Sequence, residues 1–548
     1  MSSQSYTIVG NDFDRGGMAS HRLKQQLKKL GVAPDIIRRT IIAAYEAEMN
    51  VVIYAHRGNL YYTLSESQID VEVMDEGPGI PDVELAMTEG YSTASPKIRE
   101  MGFGLGLGLP NMKKASDFFE IQSTMGKGTR IHFSNNLREQ RFSMVQRNSL
   151  LVKEEICAKC FRCVRACPTA AIRIRKGRPE VIDSLCIDCT VCIGVCTTGA
   201  LSIDLRNRLS VIKHGYPLIL GQGFNFQFGA GVEATAVIAA LKKLGFSRVY
   251  SFEPWIRALS TAVARYVHEE ASVFPVISPV CPAVINLIQM RFPSLLPQVA
   301  PFLTPFEAAA EDTVSRGAFF APACPAQYTA VRGKVSNEKG IRIEDLFQPV
   351  AAMIFGKKHV RKTEALLSET PGTHRRQDQK ERDAMVGPST GDSMQRNEAD
   401  QVVVSGIAHV IEVLEKVENG LSGDIPMLEL YACEQGCFGS PLLKEDAFIA
   451  HYRFKRSRVL EHGEEHPRAL RREGPLFPRP GLRLDENMHQ AVLKLAEIDR
   501  LASRLPGTHC ALCGAPRCSS FAEDVVLGRA SIEECIFLRK EGKEDEVE

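Results

Sequence analysis

The sixteen cysteines of the chain fall into four groups of four, with none left over. Cys157, Cys160, Cys163 and Cys167 stand in CAKCFRCVRACP, and Cys186, Cys189, Cys192 and Cys196 in CIDCTVCIGVC. Cys281, Cys324, Cys433 and Cys437 are scattered through SPVCPAV, APACPAQ and LYACEQGCFGSP, while Cys510, Cys513, Cys518 and Cys535 lie in CALCGAPRCSSFAEDVVLGRASIEEC. A CxxCxxC run brings three thiolates onto one tight loop, the donor set of an iron–sulfur cluster. Tetrahedral zinc is the competing occupant of such pairs. The scattered four must meet in the fold to do chemistry, the alternative being small buried apolar groups. A second chemistry is written between residues 46 and 108. Glu46 and Asn50 lie four residues apart and share one helix face. Asp75 precedes Gly77 and Gly79 in a turn, and Gly102, Gly104, Gly106 and Gly108 form a ladder just ahead of a helix. Glycines there let backbone N–H groups approach phosphate, and the start of a helix favours its negative charge. Taken singly these pieces also read as a solvated face and a flexible loop; in this order they form a coherent nucleotide site.

The elements that must position these groups are legible in part. Helical periodicity runs from Asp35 to His56, preceded by Pro34 and stopped near Gly58, and an alternating strand follows that ends at Asp75. From about Leu209 to Met353 strands and helices alternate, as in VEATAVIAALKKLGFSRVYSF, which predicts an α/β core with a largely parallel sheet. At 548 residues the chain requires several domains. Its formal net charge of +1 gives bulk electrostatics no preference for nucleic acid. No apolar stretch reaches the length of a membrane span and no leader pattern is seen, so a soluble cytoplasmic protein is expected. The cysteine usage agrees, since a reducing compartment leaves thiolates free for metal. Residues 366–400 are rich in charge, Gly, Pro and Ser and read as a disordered linker insertion; 462–479 has a similar look.

With its motifs DEGPGIPD, EGYSTAS and GLGLGLPNMKKASDFFEI, the stretch from Tyr6 to Phe133 resembles the GHKL ATPase superfamily, shared by histidine kinases, gyrase and anti-sigma-factor serine kinases. Within it the resemblance is to the switch serine/threonine kinases of stressosome systems. The resemblance implies that Asn50 holds magnesium and that Asp75 accepts from the adenine amino group of ATP. Gly77 and Gly79 would shape the adenine pocket, Gly104, Gly106 and Gly108 would belong to the lid over the phosphates, and Gly102 would join the same nucleotide site. Glu46 matches the general base that activates a serine hydroxyl on a partner protein. Tyr54 stands where many such ATPases carry His. No helix pair with a phosphoacceptor histidine accompanies the domain.

The next two cysteine runs resemble bacterial two-cluster ferredoxins, in which the fourth cysteine of a run ligates the other cluster. One 4Fe-4S cubane would then take Cys157, Cys160, Cys163 and Cys196, and the other Cys186, Cys189, Cys192 and Cys167. Pro168 fits that pattern, whereas Thr197 replaces the second proline. Residues 150 to 450 resemble the C-terminal domain of iron-only hydrogenases, whose H-cluster joins a cubane through one cysteine sulfur to a two-iron unit carrying CO and cyanide. On that match Cys281, Cys324, Cys433 and Cys437 ligate the cubane, with Cys437 as the bridge. Val280 stands where active hydrogenases have a proton-relaying cysteine, Gln327 where a lysine donates to cyanide, and Ala330 where an acid lies. Valine carries no proton, so these departures argue against hydrogen turnover. They leave open a full H-cluster used for sensing, or the cubane alone. The last group resembles the small 4Fe-4S domain of Rnf-type B subunits and corrinoid iron–sulfur proteins.

The predicted fold class is therefore multidomain α/β and α+β: a GHKL α/β sandwich at 1–140, a two-cluster ferredoxin fold at 148–206, a hydrogenase-like α/β domain at 207–365 and 401–460, and a small helical 4Fe-4S domain at 485–548. The predicted function is a redox- or gas-responsive regulator whose ATP-binding domain acts as a serine/threonine kinase, with the hydrogenase-like domain as sensor. Its cofactors would be up to four 4Fe-4S clusters, ATP and Mg2+. A STAS-type substrate or phosphatase partner, a redox partner and homodimerisation follow by analogy. An ATP-gated electron-transfer enzyme and an iron–sulfur assembly scaffold are the alternatives.

Overall fold

The computed structural model describes residues 2–137, 142–205, 215–356, 401–457 and 470–538, apart from 66, 95, 101–102, 145–146, 314–315, 333–338, 422, 482 and 486. Gly102 and the linker 366–400 thus lie outside the described residues. Two compact units result, one of Met1–Phe142, Pro480–Cys513 and Arg517–Glu548, the other of Ser143–Arg479 and Gly514–Pro516.

The first unit contains strands β1 (Ser2–Val9), β2 (Arg57–Leu64), β3 (Gln68–Asp75), β4 (Phe118–Thr124) and β5 (Gly128–Asn136). They form one antiparallel sheet in the order β1-β2-β3-β5-β4. Every second side chain of β2 is buried, as are Ile69, Val71 and Val73 of β3, so one face of the sheet needs a cover. Helices α1 (Met18–Lys29) and α2 (Pro34–Tyr54) supply it. Leu23, Leu27, Ile36, Ala43, Ala44 and Ala47 recur at helical spacing and are buried with Leu60, Ile69 and Phe133. Full burial of a side chain such as Leu27 contributes roughly 1.5–3 kcal/mol. Pro34 opens α2 instead of preceding it, because the first helical position has no use for an N–H donor.

The second unit begins with two short antiparallel pairs: β6 (Leu150–Val152) with the later β9 (Leu201–Ile203), and β7 (Ile172–Arg175) with β8 (Arg178–Val181). Two parallel three-stranded sheets follow. One orders β10 (Leu218–Leu220), β11 (Val249–Tyr250) and β13 (Phe319–Ala321) as β11-β10-β13; the other orders β12 (Val276–Ser278), β14 (Gln401–Ser405) and β15 (Met427–Tyr431) as β12-β15-β14. The described part of the polar stretch 462–479 departs from its linker-like composition. Leu303 N donates to Leu470 O, Arg472 N to Pro301 O, and Arg479 to the carbonyls of Cys186 and Asp183. Backbone pairing and a guanidinium bonded to two carbonyls fix it where side-chain hydrophobicity does not.

Candidate nucleotide site and iron–sulfur centres

Glu46 and Asn50 are half-buried on one face of α2. The helix Gly108–Lys114 abuts that face: a Cβ added at Gly108 would meet Glu46 Oε2 at 3.1 Å and Asn50 Oδ1 at 3.8 Å. Asn111 of this helix donates its Nδ2 to Glu46 Oε1 at 3.2 Å. The carboxylate is therefore held by one oxygen while the other stays beside the end of the glycine ladder. Gly104 and Gly106 have φ of +69° and +77°, and a Cβ at Gly106 would lie 2.5 Å from the carbonyl carbon of Gly90. Both features demand glycine. Asp75 closes β3, and its Oδ1 accepts from Gly77 N at 2.8 Å and Thr129 N at 3.2 Å. Burial raises its pKa against the pull of those two bonds. Tyr54 is exposed at the end of α2, one turn beyond Asn50.

In the second unit the Cys163 thiol sits among those of Cys157, Cys160 and Cys196. Cys167 lies with Cys186, Cys189 and Cys192. The fourth thiol of each run thus faces the other run. Lys159 and Phe161 flank Cys160 with φ of 51° and 59°, and Asp188 and Thr190 flank Cys189 with 55° and 69°. Left-handed residues on both sides of a cysteine turn backbone N–H groups into a concave nest suited to an anionic cluster. His509 and Ala511 flank Cys510 in the same way, with 49° and 65°. Cys518 opens the helix Cys518–Val526, and buried Cys535 follows a capping box of Ser531 and Glu534. The donor chemistry and backbone of this last group therefore suit a cluster as well.

The central cysteines follow strand ends. Cys281 comes after β12 and Cys324 after β13, each at the N-cap of a helix that a proline begins. Cys433 comes two residues after β15, and Gln435 and Gly436, both left-handed, turn the chain to Cys437. Cys324 neighbours Cys437, Cys433 and Cys281, so the fold does bring the scattered four together. They line one small cavity with Thr190, Gln327, Tyr431 and Ser440. Burial, then proximity of the other thiols, raises Cys324 and Cys437 well above the ordinary thiol range, and Cys433 is pushed up to about 12, chiefly by burial. Ionising several such thiols in one dry space requires a cation or cluster to bind them. Among the described residues no group of three or more His, Cys, Asp or Glu is arranged for a single metal ion. Gln327 is buried; its Oε1 accepts from Ala323 N at 2.8 Å and its Nε2 donates to Cys437 Sγ at 3.5 Å. Val280 is buried beside the site. Thr190 Oγ1 stands 3.8 Å from Cys433 Sγ, which puts the second ferredoxin-type run directly against the central four.

Residues 38–139 match the family of histidine kinase-, DNA gyrase B-, and HSP90-like ATPases. The serine/threonine-protein kinase RsbT of Bacillus subtilis is 30% identical over 143 residues, 25% of this chain and 100% of RsbT. The chain belongs to this kinase family. An anti-sigma F factor of Caldanaerobacter subterraneus is 32% identical over 107 residues, 20% of this chain and 67% of that protein. Behind the RsbT-like domain, residues 156–200 match the 4Fe-4S dicluster domain, 217–313 the C-terminal domain of the iron-only hydrogenase large subunit, and 505–537 an Fe-S cluster domain. The hydrogenase match reaches Cys281 but stops short of Cys324. Among solved structures, an FeFe-hydrogenase from Chlamydomonas reinhardtii is similar at 12% identity and a TM-score of 0.31, over 48% of this chain and 94% of its own. A mycobacterial sensor histidine kinase, MprB, is similar at 20% identity and a TM-score of 0.15, over 19% of this chain and 72% of its own. No helix among the described residues is long and apolar enough to cross a membrane. The chain thus joins an RsbT-like ATP-binding kinase domain to ferredoxin-type, hydrogenase-like and C-terminal iron–sulfur domains.

Asn111 and Thr129 bind Glu46 and Asp75, and Glu48 holds the start of α1; the sequence motifs single out none of the three. Each acts on a partner many residues away, and only the PNMKK that follows the glycine ladder hints at Asn111.

Proposed function

We propose that the protein is a redox-responsive switch kinase that phosphorylates a serine or threonine of a STAS-type partner. The observation that carries this reading is Glu46, anchored through Oε1 by Asn111, with Oε2 and Asn50 facing the start of the lid helix. Glu46 would accept the proton of the partner's hydroxyl as that oxygen attacks the γ-phosphorus of ATP. The phosphoryl group leaves ADP for the hydroxyl oxygen, and Asn50 would hold the magnesium ion that accompanies the nucleotide. Asp75, already oriented by Gly77 and Thr129, would accept from the adenine amino group. Gly77 and Gly79 would border the base, and the N–H groups from Gly104 to Gly108 would face the phosphates.

The four cysteine groups would hold four 4Fe-4S clusters in the ligand sets named above, within the domain limits read from the sequence. Such clusters pass single electrons. In the central site Gln327 donates to Cys437 Sγ and Val280 offers no proton path, so this domain would serve as sensor and not as a hydrogen-producing site. The test is anaerobic phosphotransfer from labelled ATP to a STAS-domain protein encoded beside this chain, with the clusters poised oxidised and then reduced. A redox-dependent rate supports the proposal, whereas transfer that is absent in both states, or equal in both, defeats it.

A further inference from the structure

The cysteines from 510 to 535 belong to the same compact unit as the ATP-binding domain. Helix Met488–Arg504 packs beside β1 and carries the helix Cys518–Val526 against it. Two contacts tie this pair to α1. Asp499 accepts from Gln26 Nε2 at 3.1 Å, while Gln26 Oε1 accepts from the hydroxyls of Tyr6, at 3.1 Å, and Tyr62. The amide is thus fixed from both ends. One turn further along α1, Lys29 pairs with Glu523 at 2.6 Å, and the Glu523 side chain is only 12% exposed. Glu523 lies five residues beyond Cys518 on the same helix, a rise of about 7.5 Å.

The other end of α1 is held equally firmly. The backbone N–H groups of Ala19 and Ser20 donate to Glu48 Oε1 and Oε2 at 3.0 and 2.9 Å. Glu48 is 2% exposed and sits on α2 between Glu46 and Asn50. One helix therefore runs from a carboxylate on the Cys518 helix to a carboxylate on α2, two residues from the proposed base and the magnesium ligand in the chain but on another face of that helix.

We propose that α1 is the element through which the C-terminal iron–sulfur group, and not the hydrogenase-like domain, addresses the nucleotide site directly. The inference rests on the reading of the chain as a redox-responsive kinase and specifies where its input enters. One-electron reduction by a low-potential donor adds one negative charge next to Cys518. The N-terminal end of the helix Cys518–Val526 attracts that charge, which shifts Glu523 against Lys29. The movement passes along α1 to Glu48, which acts as a positioning residue for α2 and so for Glu46 and Asn50.

The experiment measures the dissociation constant of Mg-ATP for the full-length, cluster-loaded protein, oxidised and reduced, by titration with a fluorescent ATP analogue. Wild type is expected to show at least about a fivefold difference, the lower end of ordinary coupling between sites. Cys510→Ser, with the other clusters verified by iron content and electron paramagnetic resonance, should bring the ratio to about one, whereas Cys281→Ser should keep it. Lys29→Ala and Glu523→Gln should each shrink the ratio to within about twofold with cluster content intact, and the charge swap Lys29→Glu with Glu523→Lys should restore part of it. The C-terminal cluster's midpoint potential must shift on ATP binding by the reciprocal amount, a readout independent of kinase activity and of damage to the fold. A wild-type ratio that survives Cys510→Ser, or survives both Lys29→Ala and Glu523→Gln, overturns this route while leaving a redox-responsive kinase in place. Equal affinities in the two redox states of wild type overturn the route whatever the phosphotransfer assay returns.

Discussion

Glu46 has one oxygen held by Asn111 and the other beside the end of the glycine ladder. Glu46→Gln should lower phosphotransfer by about 100-fold or more, the usual contribution of a positioned general base, and leave Mg-ATP affinity nearly unchanged by calorimetry. Asn111→Ala should cost less, about tenfold, because it frees the carboxylate without removing it. A second residue makes stability depend on pH. Burial pushes Glu253 up to about 7, while Gln222 Nε2 donates to it at 2.8 Å and opposes the shift. The folded pKa is above the unfolded one, so this stabilisation is complete below the unfolded value and is lost as pH rises through about 7. Roughly 3 kcal/mol should disappear across that window. Anaerobic melting of Glu253→Gln beside wild type should show the variant gaining relative stability between pH 5.5 and pH 8; a constant difference would contradict the assignment.

Among the elements, the lid is the most sensitive to backbone chemistry. Gly90 N donates to Gly106 O at 3.0 Å, and the left-handed φ at Gly106 leaves no room for a Cβ. Gly106→Ala should weaken Mg-ATP binding by about tenfold, through the cost of the strained backbone and the close approach, while iron content stays at the wild-type value. This element could be read from the sequence because glycine is the only residue that meets its conformational demand. The same holds for β2 and β3, whose alternation is local, and for the cysteine runs, whose ligand spacing is contained in eleven residues. The convergence of Cys281, Cys324, Cys433 and Cys437 could not be derived that way. It depends on β12 and β14 both pairing with β15, and on β13 lying beside β10, and strand order is set by packing across the sheet. The resemblance of the loops pointed to it; no periodicity did. Asn111 and Thr129 stayed hidden for a related reason, since their targets are 65 and 54 residues away. Composition also misjudged 470–479, where backbone bonds to Pro301 and Leu303 and the partners of Arg479 decide the outcome.

At the scale of the whole molecule, the absence of a leftover cysteine implies a stoichiometry. Anaerobically purified protein should hold roughly sixteen iron atoms per chain, four for each cubane, by colorimetric iron and sulfide analysis. Cys281→Ser should remove about a quarter of them, and a loss of half would mean that the central group and the adjoining Cys186 group depend on each other. The pairing of Gln26 with Asp499 spans 473 residues. A ribosome adding about 5–20 residues per second needs roughly half a minute to a minute and a half to cover that interval. During all of it the nascent ATP-binding domain waits without Asp499 and Glu523, the partners of Gln26 and Lys29, open to chaperones. Slow codons, premature termination or iron starvation late in synthesis would therefore act on a domain that left the ribosome long before.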